Sequence, residues 1–207
     1  MKKILFYLAV PFLLIADQPE LWQAAKISKP LNETVTYSIE GDFRSFNMGK
    51  KLKYYHGDIG LSFPLIANFK LSLNIRKVFE LKDDAWKQEH RPHGTLSTKM
   101  KFGSLGVSAR SRFEYRMKQD KDPVIRNRDM VSIKLGNGFS PLKLIPYVAD
   151  EIFYDMEERE LNRNRFFVGV EFKCISFMKT AVYFLQQNDL KNGEWEPTNV
   201  AGMKFSF

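Results

Sequence analysis

Most of the chain after residue 30 alternates between apolar and polar side chains with a period of two. Between residues 55 and 63 the odd positions carry Tyr, Gly, Ile, Leu and Phe, and the even positions carry His, Asp, Gly and Ser. Successive side chains of a β-strand point to opposite faces, whereas a helix repeats after about 3.6 residues. The pattern therefore predicts strands with one apolar face and one polar face.

The same reasoning marks strand segments along the whole chain and no helix after residue 20. The segments are residues 21–31, 33–46, 52–65, 69–81, 88–102, 105–118, 127–136, 143–156, 162–174, 177–188 and 196–207. Single-chain bacterial barrels have even strand numbers. We therefore expect 10–12 strands, with segment 21–31 either paired with an undetected strand or placed in the lumen or the periplasm.

Two kinds of connector alternate between these segments. The short ones are residues 64–68, 103–104, 138–141 and 174–176, and the longer, charged ones are residues 82–87, 119–127, 156–162 and 188–197. Short periplasmic turns and longer extracellular loops are typical of outer-membrane barrels. The predicted fold is all-β, an antiparallel up-and-down transmembrane β-barrel formed by residues 17–207.

Residues 1–16 are typical of a secretory signal peptide. Lys2 and Lys3 precede an uncharged run over residues 4–16 (ILFYLAVPFLLIA), and polar residues follow at once. A bilayer-spanning helix needs about 20 apolar residues, so the run is short for one. We expect cleavage near Ala16; a buried N-terminal helix or a retained anchor is the alternative.

Composition narrows the class of protein further. The 207 residues are 44% hydrophobic with a net charge of +8, which is too apolar for a disordered chain. The single cysteine, Cys174, excludes a disulfide within the chain and a cysteine-based metal cluster. Basic residues interleaved along exported strands argue against nucleic acid as a partner. We expect outer-membrane lipid and lipopolysaccharide instead, and no cofactor.

Alternation alone also fits a soluble β-barrel or sandwich with its apolar face inside. The interior of a small barrel holds too few side chains for this many bulky apolar residues, which favours an apolar exterior. The chain also ends on an aromatic residue, Phe207, which resembles the C-terminal signal that the barrel-assembly machinery reads in outer-membrane barrels. Aromatic residues near strand ends fit an interfacial girdle, or alternatively a core: Tyr37, Phe43, Tyr55, Phe63, Phe69 and Tyr115.

The polar face carries charge of both signs, which predicts ion pairs inside the lumen. Unpaired buried charge is unfavourable, so we expect a plugged or very narrow lumen rather than an open pore. The alternative is an anion path lined by the arginine-rich strand 110–116 together with Arg126, Arg128, Arg163 and Arg165. The predicted network consists of Glu40, Asp42, Arg44, Asp58, Glu89, Arg91, Arg110, Arg112, Glu114, Arg116, Glu151, Arg163 and Arg165.

His56 and His93 are predicted to be polar lumen residues. Paired with aspartate near the rim, they would fit a lipid or peptide hydrolase, but no nucleophile motif accompanies them and no catalytic residue is assigned. His90 and His93 are an odd number of residues apart and so lie on opposite faces of a strand. No metal site is therefore expected.

Several short motifs resemble an uncharacterised bacterial outer-membrane family, domain of unknown function 2490. They are residues 21–22 (LW), 89–93 (EHRPH), 112–116 (RFEYR), 151–154 (EIFY) and 162–166 (NRNRF), followed by the aromatic terminus. The resemblance implies an outer-membrane barrel and supplies no activity or catalytic residue. Three hypotheses result: a structural or narrow-channel barrel in the outer membrane of a Gram-negative bacterium, a hydrolase in that membrane, or a soluble periplasmic ligand-binding barrel.

Overall fold

The computed structural model describes residues 19–207 except residues 67, 137 and 139–142; the predicted signal peptide, residues 1–16, lies outside them. All eleven predicted strands are present, with bounds shifted by three residues or fewer. They are β1 (Glu20–Pro30), β2 (Thr36–Phe46), β3 (Lys51–Pro64), β4 (Phe69–Lys82), β5 (Ala85–Phe102), β6 (Leu105–Lys118), β7 (Val124–Leu135), β8 (Ile145–Asp155), β9 (Glu160–Ile175), β10 (Met178–Lys191) and β11 (Glu194–Ser206).

The strands close into one barrel, which confirms the predicted all-β fold. Consecutive strands pair antiparallel, and β1 closes the ring by pairing parallel with β11, from Glu20 opposite Val200 to Lys26 opposite Ser206. The expectation of an even strand number is therefore wrong, and segment 21–31 is neither an unpaired lumen segment nor the partner of an undetected strand. An odd number of up-and-down strands makes the first and last run parallel, and a parallel ladder also satisfies the backbone.

The connections lie alternately at two rims. The first rim holds residues 47–50, 83–84, 119–123, 156–159 and 192–193, and the second rim holds residues 31–35, 65–66, 68, 103–104, 136, 138, 143–144 and 176–177. The prediction that the two sets of connectors lie at opposite ends is confirmed, except that residues 139–141 of the predicted connector 138–141 lie outside the described residues.

The predicted contrast between short turns at one rim and longer loops at the other is wrong. The charged flanks of two expected loops continue as strand, which leaves two-residue turns at Asp83–Asp84 and Asn192–Gly193. All four of these residues have φ between 50° and 81°, as type I′ hairpin turns require. Asn-Gly is itself a strong sequence signal for such a hairpin.

The two faces of the wall have opposite chemistry. Ile59 and Ile75 point outward with 58% and 62% of their surface exposed, whereas Asp58 on the inner face is 6% exposed and Glu114 is fully buried. Because paired residues on neighbouring strands share a face, the register carries this separation around the barrel. The predicted orientation of the faces, apolar outside and charged inside, is confirmed.

The aromatic residues near strand ends lie on the outer face rather than in a core. Tyr37, Phe63 and Phe69 lie toward the second rim, and Phe43, Tyr55 and Tyr115 lie toward the first rim. The ring of Tyr55 stacks on Phe43 and Phe79, with centroids 6.3 and 4.7 Å away. Within the described residues, no helix is long and apolar enough to cross a membrane.

One sector of the inner face is apolar. Trp22, Leu185 and Val200 form a buried cluster inside the barrel where β1, β10 and β11 meet, with Phe167 and Tyr183 against it. This sector departs from the simple rule of a polar interior.

Candidate functional site: the lumen

All residues of the predicted network lie on the inner face, together with His56 and His93. The inner face also holds charged residues outside the predicted network: Glu20, Lys26, Lys53, Arg76, Arg126, Arg128, Lys134, Glu171, Asp189 and Lys204. Alternation marks Arg76, Glu171 and Lys204 as polar-face residues, whereas Lys53 lies beside the register shift between β2 and β3 and is out of phase with the inner residues of its strand.

Glu114 on β6 is the centre of the densest group of charges. Its carboxylate accepts hydrogen bonds from Arg126 Nη2 at 2.5 Å and from Arg128 Nη1 at 2.7 Å. Arg112 Nη1 and Arg91 Nη1 lie 3.8 and 3.9 Å from its oxygens. A fully buried carboxylate requires such pairing, since an unpaired charge is unfavourable away from water.

Glu151 on β8 is the second buried centre. Arg110 Nη2 donates to its Oε1 at 2.7 Å, Arg128 Nη2 donates to the same oxygen at 2.9 Å, and Arg165 Nη1 lies 3.6 Å from Oε2. Arg128 therefore bridges Glu114 and Glu151, which links strands β6, β7 and β8 through charge-assisted hydrogen bonds.

Two further carboxylates extend the network toward the other side of the barrel. Glu89 accepts from Arg91 Nε at 2.8 Å and from Arg116 through Nε at 2.7 Å and Nη2 at 2.9 Å. Asp58 accepts from Arg76 Nε at 2.8 Å and from Asn74 Nδ2 at 2.6 Å.

Two aromatic rings are embedded among the arginines. Phe153 is surrounded by four guanidinium groups, whose central carbons lie 4.5 to 5.6 Å from the ring centroid, those of Arg126, Arg128, Arg163 and Arg165. The guanidinium carbons of Arg44 and Arg165 lie 3.7 and 4.8 Å from the ring of Trp22. Cation–π attraction favours these positions. Sequence reasoning did not place Trp22 or Phe153 inside.

The network divides the lumen into two cavities. The first-rim cavity has a volume of about 490 Å³ and reaches Lys82, Lys118 and Lys191 at the strand ends. The second-rim cavity has a volume of about 400 Å³ and reaches Lys99 and Lys134. The residues common to both cavities form the partition between them: Trp22, Arg44, Arg76, Arg128 and Arg165.

The histidines lie in the middle of the wall rather than at a rim. His56 is buried, with Nε2 3.9 Å from Glu40 and Nδ1 3.9 Å from Asp42, and neither ring nitrogen has a hydrogen-bond partner among the residues that the structure describes. His93 Nδ1 lies 3.3 Å from the carbonyl oxygen of Arg91. In the part of the chain that the structure describes, no serine, threonine or cysteine is hydrogen-bonded to either ring, and no group of three metal-ligating side chains converges.

These features define the class of protein: a closed β-barrel with an apolar exterior and an interior divided by arginine–carboxylate pairs. The chain belongs to the family described as Protein of unknown function (DUF2490), which it matches over residues 20–197. No curated protein matches it.

Every motif that carried the family resemblance contributes side chains to the lumen. Residues 21–22 supply Trp22, and residues 151–154 supply Glu151 and Phe153. The other three motifs supply seven further charged groups of the network: Glu89, Arg91, Arg112, Glu114, Arg116, Arg163 and Arg165. The motifs that suggested the family thus supply part of the lumen network, while alternate motif residues such as Phe113 and Phe166 lie on the outer face.

Proposed function

We propose that this chain is a small outer-membrane β-barrel of a Gram-negative bacterium, with a structural or narrow-channel role and a lumen closed by ion pairs. The observation that carries the proposal is the orientation of the wall, apolar on the outside and charged on the inside. Closed sheets can cross a bilayer because they leave no unpaired strand edge in the hydrocarbon.

The outer face has the layout that a bilayer favours. Tyr55 and Phe63 mark the two aromatic bands on β3, eight residues or about 27 Å apart along the strand. Strand tilt of about 40° shortens this to roughly 20 Å along the barrel axis, close to the apolar band of about 25 Å in known outer-membrane barrels. Between the bands lie Ile59 and Leu61, both exposed.

A soluble barrel would reverse this arrangement. Its apolar residues would fill the interior, and a water-exposed wall with isoleucine, leucine and phenylalanine at successive outward positions would aggregate. The outward positions of Leu73, Phe113 and Phe166 are 46–53% exposed. The soluble alternative therefore has less support than the membrane one.

The partition supports a closed lumen. Arginine side chains from β2, β4, β7 and β9 meet at the level of Trp22, and ion pairs or ring contacts hold each of them. This geometry would also permit a narrow channel for small ions. The proposed partners are outer-membrane lipid, lipopolysaccharide and the barrel-assembly machinery acting through Phe207. Among the described residues no contact favours the hydrolase alternative, which stays a prediction.

Membrane fractionation with heat-modifiable gel mobility tests the location. We expect the protein in the outer-membrane fraction, with a faster band unheated than after boiling, since a closed barrel stays compact in detergent. Recovery of the whole protein in the soluble periplasmic fraction would contradict the proposal.

Planar-bilayer recording tests the closed lumen. We expect little or no conductance from the natural chain, and more from a Trp22→Ala/Arg44→Ser double variant, which removes two partition residues shared by both cavities. A large steady conductance from the natural chain would show that the partition does not close the lumen.

A further inference from the structure

The second-rim cavity is strongly cationic. Ten lysines and arginines line it against four carboxylates, and the lining includes Lys26 and Lys99. Neither of these lysines forms an ion pair with a carboxylate among the residues that the structure describes. A concave site with low-dielectric walls focuses such charge, which favours an anion.

Arg112 differs from the other arginines of the network. Its Nε donates to Thr95 Oγ1 at 3.0 Å, but its closest carboxylate oxygen, on Glu114, is 3.8 Å from Nη1, beyond hydrogen-bond distance. By contrast, Arg76, Arg91 and Arg128 each donate to a carboxylate at 2.7–2.9 Å.

Arg165 also lacks a carboxylate at hydrogen-bond distance, but it donates to Gln187 at 2.7 Å and packs on the rings of Trp22 and Phe153. No aromatic ring lies against the Arg112 guanidinium in the described part of the barrel. Its terminal nitrogens therefore keep the bidentate donor geometry that suits an oxyanion.

A second, independent observation points to the same cavity. Four buried side-chain nitrogens have no hydrogen-bond partner among the described residues: Nδ1 and Nε2 of His56, Nε of Arg110 and Nε of Arg128. All three residues line the second-rim cavity. Buried polar atoms are nearly always hydrogen-bonded in native proteins. The Nε–H groups of Arg110 and Arg128 are donors, and the His56 ring offers a further donor, so this concentration of unpartnered donors beside the cavity is consistent with an occupant that has acceptor atoms.

We propose that the second-rim cavity binds a small molecule bearing a phosphate or carboxylate group, with Arg112 as the principal contact and Lys26 and Lys99 supplying attraction from the wall. A volume of about 400 Å³ suits a small organic anion. The proposal concerns the interior alone and does not depend on membrane insertion, so it can fail while the membrane proposal stands.

Ligand binding can be followed by the fluorescence of Trp22, because this residue lines the second-rim cavity. In the purified full chain with Trp86→Phe and Trp195→Phe, both on exposed positions, Trp22 is the remaining tryptophan. We expect its fluorescence to change saturably with inorganic phosphate or acetate, and not with tetramethylammonium. A fluorescence response to phosphate alone would indicate that the ligand carries a phosphate group. A response to both phosphate and acetate would extend the ligand class to carboxylates.

Arg112→Gln should weaken the binding of the anion that gives a fluorescence response at least tenfold. A thermal melting curve followed by circular dichroism checks that this variant is folded. Lys118→Gln is the matched control, since it removes a positive charge from the other cavity, and it should leave binding unchanged. If Arg112→Gln fails to fold, a Lys26→Gln/Lys99→Gln double variant should weaken binding several-fold. Saturation by tetramethylammonium, the absence of any anion response, or equal binding by the variants and the parent would overturn the proposal.

Discussion

At the scale of single residues, Arg128 holds the two deepest carboxylates of the barrel. It donates to Glu114 at 2.7 Å and to Glu151 at 2.9 Å, while its ring contact with Phe153 covers one face of the guanidinium. Exposed ion pairs contribute about 1 kcal/mol or less, whereas breaking a buried pair leaves an uncompensated charge. The lumen is therefore sensitive to single substitutions in a way that the rims are not.

We expect Arg128→Ala to lower the free energy of unfolding by about 3–5 kcal/mol, since it leaves Glu114 and Glu151 with fewer partners. Lys82→Ala, which removes an exposed pair with Glu80 at the first rim, should change it by about 1 kcal/mol or less. Urea unfolding of the refolded protein measures both. Similar losses from the two variants would mean that the network does not bear on stability.

Gly202 lies on the inner face, where the absence of a side chain leaves room for the ring of Tyr183. An added Cβ would lie 2.1 Å from Cζ of Tyr183, whose ring covers the glycine from the neighbouring strand. We expect Gly202→Ala to displace the ring and lower the melting temperature, in line with a loss of about 1–3 kcal/mol for overpacking. Gly57→Ala on the outer face, with nothing within 4 Å of the new carbon, should melt like the parent. The reverse order would contradict the packing described.

At the scale of elements, each strand has an apolar face on the outside of the barrel and a largely polar face toward the lumen. A shift of one residue in register would bring a whole set of isoleucines and leucines inside and move the ion pairs out. Ladders between all neighbouring strands fix that register, with shifts only near strand ends, as between Arg44 and Ser45. Two-residue turns such as Asn192–Gly193 set the offset between neighbouring strands where they occur.

In the proposed membrane setting, Ile59→Arg places a charge against lipid near the middle of β3 and should destabilise the barrel by about 2–4 kcal/mol. Ser62→Arg on the inner face of the same strand should be milder, although it removes the hydrogen bond between Ser62 and Ser72. Folding yield into lipid vesicles, read by heat-modifiable mobility, compares the two. A larger defect from Ser62→Arg would argue that the inner and outer faces are assigned the wrong way round.

At the scale of the whole molecule, the barrel depends on one seam between strands far apart in sequence. β1 and β11 pair in parallel, and the seam continues to Phe207, whose N–H donates to the carbonyl of Lys26 at 2.8 Å and whose carbonyl accepts from Ser28 N–H at 3.1 Å. Closure creates the two cavities, because the partition combines side chains from β1, β2, β4, β7 and β9.

A disulfide across the seam tests this closure. Gln23 and Met203 are register partners, so Gln23→Cys/Met203→Cys in a Cys174→Ser background should form an intramolecular disulfide on mild oxidation. Gln23→Cys/Phe205→Cys is offset by two residues, about 7 Å along the strand, and should not. Non-reducing gel mobility and mass spectrometry report the link. Cross-linking of the offset pair alone would place β11 in a different register.

The sequence by itself determined the strands, their faces and the charged character of the interior. A period of two is a local property of the chain, and it was sufficient to locate β3 and β6 nearly to the residue and to place Glu114, Arg112 and His56 on the inner face. The same locality explains why segment 21–31 was left between an undetected partner strand, the lumen and the periplasm, and why Trp22 and Phe153 were assigned no place inside.

Only the tertiary structure decided which charges meet, how the ring closes and how the lumen is divided into cavities. Arg110 and Glu151 are 41 residues apart, and Lys204 and Glu40 are 164 apart, so no spacing along the chain predicts either pair. Pairing depends on strand order, register and tilt acting together around a closed circuit. These quantities are set by the whole sheet, which is why the thirteen residues of the predicted network could be placed inside from the sequence while their partners and the two cavities could not.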